Sequence, residues 1–165
     1  LWTLKKNNME KKIEFMLRAI ELSKNGLESG KGGPFGCVIV KDGKIIGEGN
    51  NQVTSTNDPT AHAEMVAIRN ACKNINSFQL EGCEVYTSCE PCPMCLGAIY
   101  WARPDKIYFA NNRSDAAEIG FDDAFIYDEI GEKIENRKIQ MEPLGRMEAL
   151  EIFKQWKLKT DKIEY

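Results

Sequence analysis

Within about 28 residues, from Cys83 to Ala110, the chain reads strand, helix, strand. A β-leaning run at Cys83–Ser88 is followed by a helical run at Pro93–Ala102 and a second β-leaning run at Lys106–Ala110. A helix crossing between two strands this close in sequence makes them parallel neighbours with a right-handed connection. Upstream, Cys37–Val40 and Ile45-Ile46 flank Lys41-Asp42-Gly43-Lys44, and Asp-Gly is the pair that a tight antiparallel hairpin prefers. A sheet that contains both units is mixed.

Ile13, Met16, Leu17 and Ile20 fall at i, i+3, i+4 and i+7, which predicts an amphipathic helix over residues 10–28. The glycine-rich stretch Gly30–Gly36 then reads as a loop. Asn50–Thr60 is polar and turn-rich, and Asp58-Pro59 reads as a cap with proline at the first helical position, predicting a helix over 60–73. Further on, the pattern predicts a helix over 122–130, a short strand over 138–141, and a helix carrying Leu150, Phe153 and Trp156 before the tail Lys159–Tyr165. At 165 residues, without internal repeat or linker, the chain is expected to form one domain whose core needs no disulfide staple.

Lys and Arg number 22 against 25 Asp and Glu, a net charge of −3, which removes the broad positive footprint of a protein that wraps nucleic acid. Apolar runs fall well short of the roughly 18 residues of a membrane span, so a soluble, cytoplasmic protein is expected. Leu1–Met9 has no apolar secretory core; residues 1–8 read as a disordered extension, with Met9 as the natural start. In a reducing compartment the six cysteines are expected to be free, metal-bound or reactive.

Their clustering decides between these. The single histidine stands in His62-Ala63-Glu64, and Pro91-Cys92-Pro93-Met94-Cys95 follows about 30 residues on. Cys92 and Cys95 share one face at a helix N-terminus, where the dipole and a metal both favour thiolate. His62 falls in the first turn of its own helix, so two helix ends can point at one zinc ion. Three ligands leave the fourth tetrahedral position for water, as in a catalytic site, and Glu64 is left to handle protons. The spacing matches the known H-x-E, P-C-x-x-C signature of zinc deaminases. A closed Cys₃His structural site that adds Cys89, in a non-enzymatic binding module, would explain neither Glu64 nor Pro91. A thioredoxin-like redox pair would leave His62 and Glu64 without a role.

Through His62-Ala63-Glu64 and Pro91–Ala98 the chain resembles the cytidine deaminase-like superfamily. Within it the likeness is to the bacterial guanine deaminase family, carried by Gly32–Gly36, Asn57–Glu64, Tyr86–Cys92, Ala98–Pro104, Asp115–Glu118, Gly120-Phe121-Asp122-Asp123 and Tyr165. The resemblance implies a three-layer α/β/α sandwich around a mixed five-stranded sheet, in a single deaminase domain over residues 9–165. It implies one Zn²⁺ per chain, held by His62, Cys92 and Cys95, and hydrolysis of guanine to xanthine and ammonia with Glu64 as proton carrier. It further implies Asp123 as a second carboxylate near the exocyclic amine, and Asn51, Ala63 and Tyr165 as base-binding residues. A homodimer exchanging a C-terminal segment, residues 145–165, is implied as well. Phe35 and Trp101 could pack on a flat base but are commoner as core residues, so they stay outside this set. The rival with the same motif is a tRNA adenosine deaminase acting on a flipped adenosine. Its surface should be basic, whereas the tail Lys157–Tyr165 mixes signs and the net charge is negative, which favours a free base.

Overall fold

Asp42 and Gly43 both take positive φ, 49° and 72°, the conformation that lets a two-residue turn follow the twist of its strands. They join β1 (Gly36–Lys41) to β2 (Lys44–Asn50) as the expected hairpin. The computed structural model describes residues 2–165, with side chains from Lys6 onward. β3 (Cys83–Cys89) pairs antiparallel with the other edge of β1, and β4 (Lys106–Asn111) pairs parallel with β3, giving the order β2-β1-β3-β4.

The sheet is mixed, as expected, but has four strands and not five. Residues 138–141 form no strand: Ile139 is exposed and the Lys138 N–H donates to the Glu129 carboxylate rather than to a sheet edge. Ile139 and Met141, both exposed in so short a run, have no ladder to join.

Strand alternation sorts the core onto two faces. Cys37, Ile39, Cys83 and Val85 pack with Ala63, Ala67 and Ala71 of α3 (Ala63–Ile75) and with Ile99 and Ala102 of α4 (Pro93–Ala102), the crossover helix. Val38, Val40 and Tyr86 pack with Ala19 of α1 (Trp2–Glu28), supported by Phe15, Met16 and Leu22. Helices therefore cover both faces of the sheet, as in the expected α/β/α layering. α1 begins at Trp2 rather than near residue 10. Residues 2–8, expected as a disordered extension, continue the helix because no glycine or proline precedes Gly26 to break it.

Small residues bring α3 close to the sheet. Ala63, Ala67 and Ala71 recur at i, i+4 and i+8 above Gly47 and Gly49 of β2, where any Cβ would strike the helix backbone. Ahead of α3 lie a short helix α2 (Val53–Thr56) and a turn at Asp58. Asp58 does not cap α3: its carboxylate accepts from the Thr60 N–H at 2.8 Å and the Thr60 hydroxyl at 2.7 Å, and the helix starts at Ala63 with His62 as N-cap.

After β4 comes α5 (Arg113–Glu118), opened by a capping box in which Asn112 and Asp115 satisfy each other's backbone N–H. The chain divides into two compact units, Leu1–Asp123 and Ala124–Tyr165, and residues 145–165 lie within the second. The second unit holds α6 (Ala124–Gly131), a 3₁₀ turn at Ile134–Asn136 and α7 (Arg146–Leu158), and none of its residues is buried. Among the described residues no helix is long and apolar enough to cross a membrane.

Candidate metal centre and active site

Both helices that reach the site start without a side-chain cap. His62 at the N-cap of α3 and Cys92 at the N-cap of α4 have extended backbones; the Cys92 sulfur faces Cys95 in the first turn of α4, and the imidazole faces both sulfurs. The imidazole and the thiol are thus left for another partner, at the two positive helix ends. Pro93 sets the first turn of α4, which carries Cys95 three residues beyond the cap.

His62 Nδ1 lies 3.5 Å from both the Cys92 and Cys95 Sγ atoms. All three donor atoms fall within 4.8 Å of one another. Tetrahedral zinc with bonds of ~2.3 Å to sulfur and ~2.0 Å to nitrogen would set an S–N edge of about 3.5 Å, so the donor set fits the ion. The electrostatics agree. The hydrogen bond from Cys95, then the contact with His62, pulls the Cys92 thiol down to about 4, while the same contact drives the Cys95 thiol up. His62 is raised, chiefly by its bond with Cys92. Two sulfurs and an imidazole that must share protons are a ligand set that a dication satisfies by displacing them.

Cys89 stands apart from this trio: its Sγ donates to the Asn112 carbonyl at 3.7 Å, and burial pushes its thiol up to about 11. All six cysteines are free thiols.

Glu64, in the first turn of α3, is buried, and its Oε1 accepts a 2.9 Å hydrogen bond from the Thr87 hydroxyl. Burial is the main cause of its raised pKa, the direction that suits a proton carrier working near neutrality. Thr87 was not evident from sequence beyond its inward register: residues 83, 85, 87 and 89 of β3 face α3 and α4 by alternation.

Asn51 directly follows β2, and it is buried. Its Oδ1 accepts from the Gly33 N–H at 3.3 Å and the Val53 N–H at 3.2 Å, which leaves Nδ2 uncommitted. Ala63 is buried at the first position of α3, where its N–H is outside the helical ladder. Asp123 is half-buried; burial first, then the charge of Cys92, raises its pKa. The Phe121 ring, two residues before Asp123, meets Phe35 edge-on at 4.9 Å. Phe35 also packs against the core, whereas Trp101 is exposed on α4. Tyr165 belongs to the second unit and is exposed there.

Residues 9–111 match the cytidine and deoxycytidylate deaminase zinc-binding region. The chain is 56% identical over 151 residues to guanine deaminase of Bacillus subtilis, covering 92% of this chain and 97% of that one. An X-ray structure of guanine deaminase from Bacillus subtilis superposes with a TM-score of 0.89 at 55% identity, over 92% of this chain and 97% of that one. A tRNA-specific adenosine deaminase of Aquifex aeolicus is 45% identical over 96 residues, 58% of this chain and 63% of that protein.

Proposed function

The chain belongs to the zinc-binding cytidine and deoxycytidylate deaminase family, and from that membership we propose that it hydrolyses guanine to xanthine and ammonia. The observation that carries the reading is the extent of the likeness to guanine deaminase. It spans 92% of the chain, whereas the tRNA-specific relative matches 58%. The Gly120–Asp123 block and Tyr165 lie beyond the zinc-binding region at 9–111, in the part where base selection would be built.

His62, Cys92 and Cys95 would hold the metal. When bound, zinc supplies a water acidic enough to serve as nucleophile near neutral pH. Glu64 would take one proton from the attacking water and pass it to a ring nitrogen as the oxygen bonds to C2, then move the second proton from that oxygen to the amine as the C2–N bond breaks, so that guanine and water become xanthine and ammonia. Asn51, its Oδ1 held by backbone N–H groups, offers Nδ2 to an acceptor on the purine. The Ala63 N–H is a second donor. Asp123 accepts from the exocyclic amine, and Tyr165 closes over the base.

This closure would come from a homodimer that exchanges the C-terminal segment. Support lies in the second unit's own composition: Ile139, Leu144, Phe153 and Leu158 are exposed, and the unit buries no residue. The protein would act in the cytoplasm, where its thiol ligands stay reduced.

An ultraviolet assay of the zinc-loaded protein against guanine, adenine, cytosine, cytidine and an anticodon stem-loop tests the reading. Guanine alone should be turned over efficiently; preferred turnover of the stem-loop, or none of any substrate, would overturn it.

A further inference from the structure

Glu64 has two carboxylate oxygens, and a proton carrier works only if the one that faces the reacting atoms is the same in every cycle. Thr87 fixes which it is. Its side chain is 1% exposed, and its hydroxyl makes a single hydrogen bond, to Glu64 Oε1 at 2.9 Å. Thr87 lies mid-strand on β3, which is hydrogen-bonded on both edges, opposite Cys37 of β1 and Phe109 of β4. A β-branched side chain on a central strand has restricted χ1, so the hydroxyl direction is set by the sheet.

We propose that Thr87 is a positioning residue for the deamination: it holds Glu64 Oε1 and thereby presents Oε2 to the water and the base. Thr87 lies outside the His62, Cys92 and Cys95 donor set, so its loss acts through Glu64 and not through the metal. An ionised carboxylate can only accept, so the threonine hydroxyl is the donor. The same bond turns Glu64 toward the sheet from the first turn of α3, whose end is held over β2 by the glycine and alanine contacts. Valine at this position would keep the shape and remove the donor, leaving the Glu64 carboxylate only its own backbone N–H and the Cys95 thiol, a proton that metal binding displaces. The inference rests on the deaminase reading for its assay.

The test compares wild type, Thr87→Val and Thr87→Ser, each at measured zinc content, and repeats Thr87→Val in a Glu64→Gln background. Thr87→Val should lower kcat by about tenfold to a hundredfold, as expected for a lost hydrogen bond to a charged group, with KM and zinc content unchanged. Thr87→Ser should recover most of kcat. In the Glu64→Gln background the valine change should cost nothing further, because the group it positions is already disabled. Thr87→Val with kcat within twofold of wild type, or an equal loss in both backgrounds, would overturn the inference. If the valine variant does not fold, Thr87→Ala carries the same comparison. A wild-type chain inactive on guanine would instead defeat the substrate reading, so the two failures are distinct.

Discussion

Gly49 lies directly beneath Ala63: a Cβ on the glycine would stand 2.3 Å from the Ala63 carbonyl oxygen and 2.6 Å from the Ala67 nitrogen. Both are helix backbone, which cannot move aside as a side chain can. Gly49→Ala should therefore displace the start of α3, with His62 and Glu64 on it, and cost about 1–3 kcal/mol as overpacking does. Thermal unfolding and zinc content should fall together; a variant with wild-type values of both would show that α3 is not held by this contact.

Glu64→Gln keeps an oxygen for the Thr87 hydroxyl and the volume of the site, so the fold and the metal should be retained. What it removes is the proton carrier. Turnover should drop by about 10²- to 10⁴-fold, the range for general acid–base groups, in a protein that still carries one zinc. Near-normal kcat in that zinc-loaded variant would end the mechanism.

Cys92→Ala removes one of three convergent donors and should release zinc, activity and part of the stability at once, since metal binding is coupled to folding. Cys89→Ala removes only a thiol bonded to the Asn112 carbonyl. Metal analysis of the two purified variants decides: zinc retained in the first and lost in the second would reverse the ligand assignment.

Local rules carried much of this into the sequence. The Asp42-Gly43 turn, the β3-α4-β4 crossover and the trio at two helix starts all follow from residue types a few positions apart. Competition between local signals hid other parts. Asp58 could cap a helix or bond the Thr60 hydroxyl, and the latter prevails, so α3 starts at Ala63 with His62 as its N-cap. Asn112-x-x-Asp115 was a readable capping box announcing α5. Residues 2–8 lack a breaker, which outweighs their polarity. The contact between Thr87 and Glu64 joins positions 23 apart, and alternation alone gives only the face, not the partner.

Arg18 grips Glu48 through two parallel bonds, Nε to Oε1 at 2.8 Å and Nη2 to Oε2 at 2.9 Å. This contact lowers the Glu48 pKa below its ordinary value. A carboxylate depressed in the folded state adds stability that is fully present above its unfolded pKa, near 4.5, and is lost as pH falls through the folded value. Glu48→Gln should thus lower Tm modestly at pH 7, the pair being partly exposed, and the gap to wild type should close below pH 4. A gap that is constant from pH 7 to pH 3 would mean the charge contributes nothing.

The tail poses the last test. In the second unit α7 shows Met147, Ile152, Phe153 and Leu158 to solvent, and the chain continues to Tyr165. An amphipathic helix with no buried residue calls for a partner surface, and the proposed one is the neighbouring subunit. Deleting residues 161–165 should then leave a folded, zinc-bearing protein whose guanine turnover falls at least about tenfold, because the base loses positioning rather than the metal. If Tyr165 acts in trans, a Glu64→Gln chain and a tail-deleted chain, each impaired alone, should together regain activity beyond the sum of the two when unfolded and refolded as a mixture. Some heterodimers would pair one intact Glu64 with one intact tail. Heterodimers demonstrated by mass without that gain would leave the tail acting in cis or not at all.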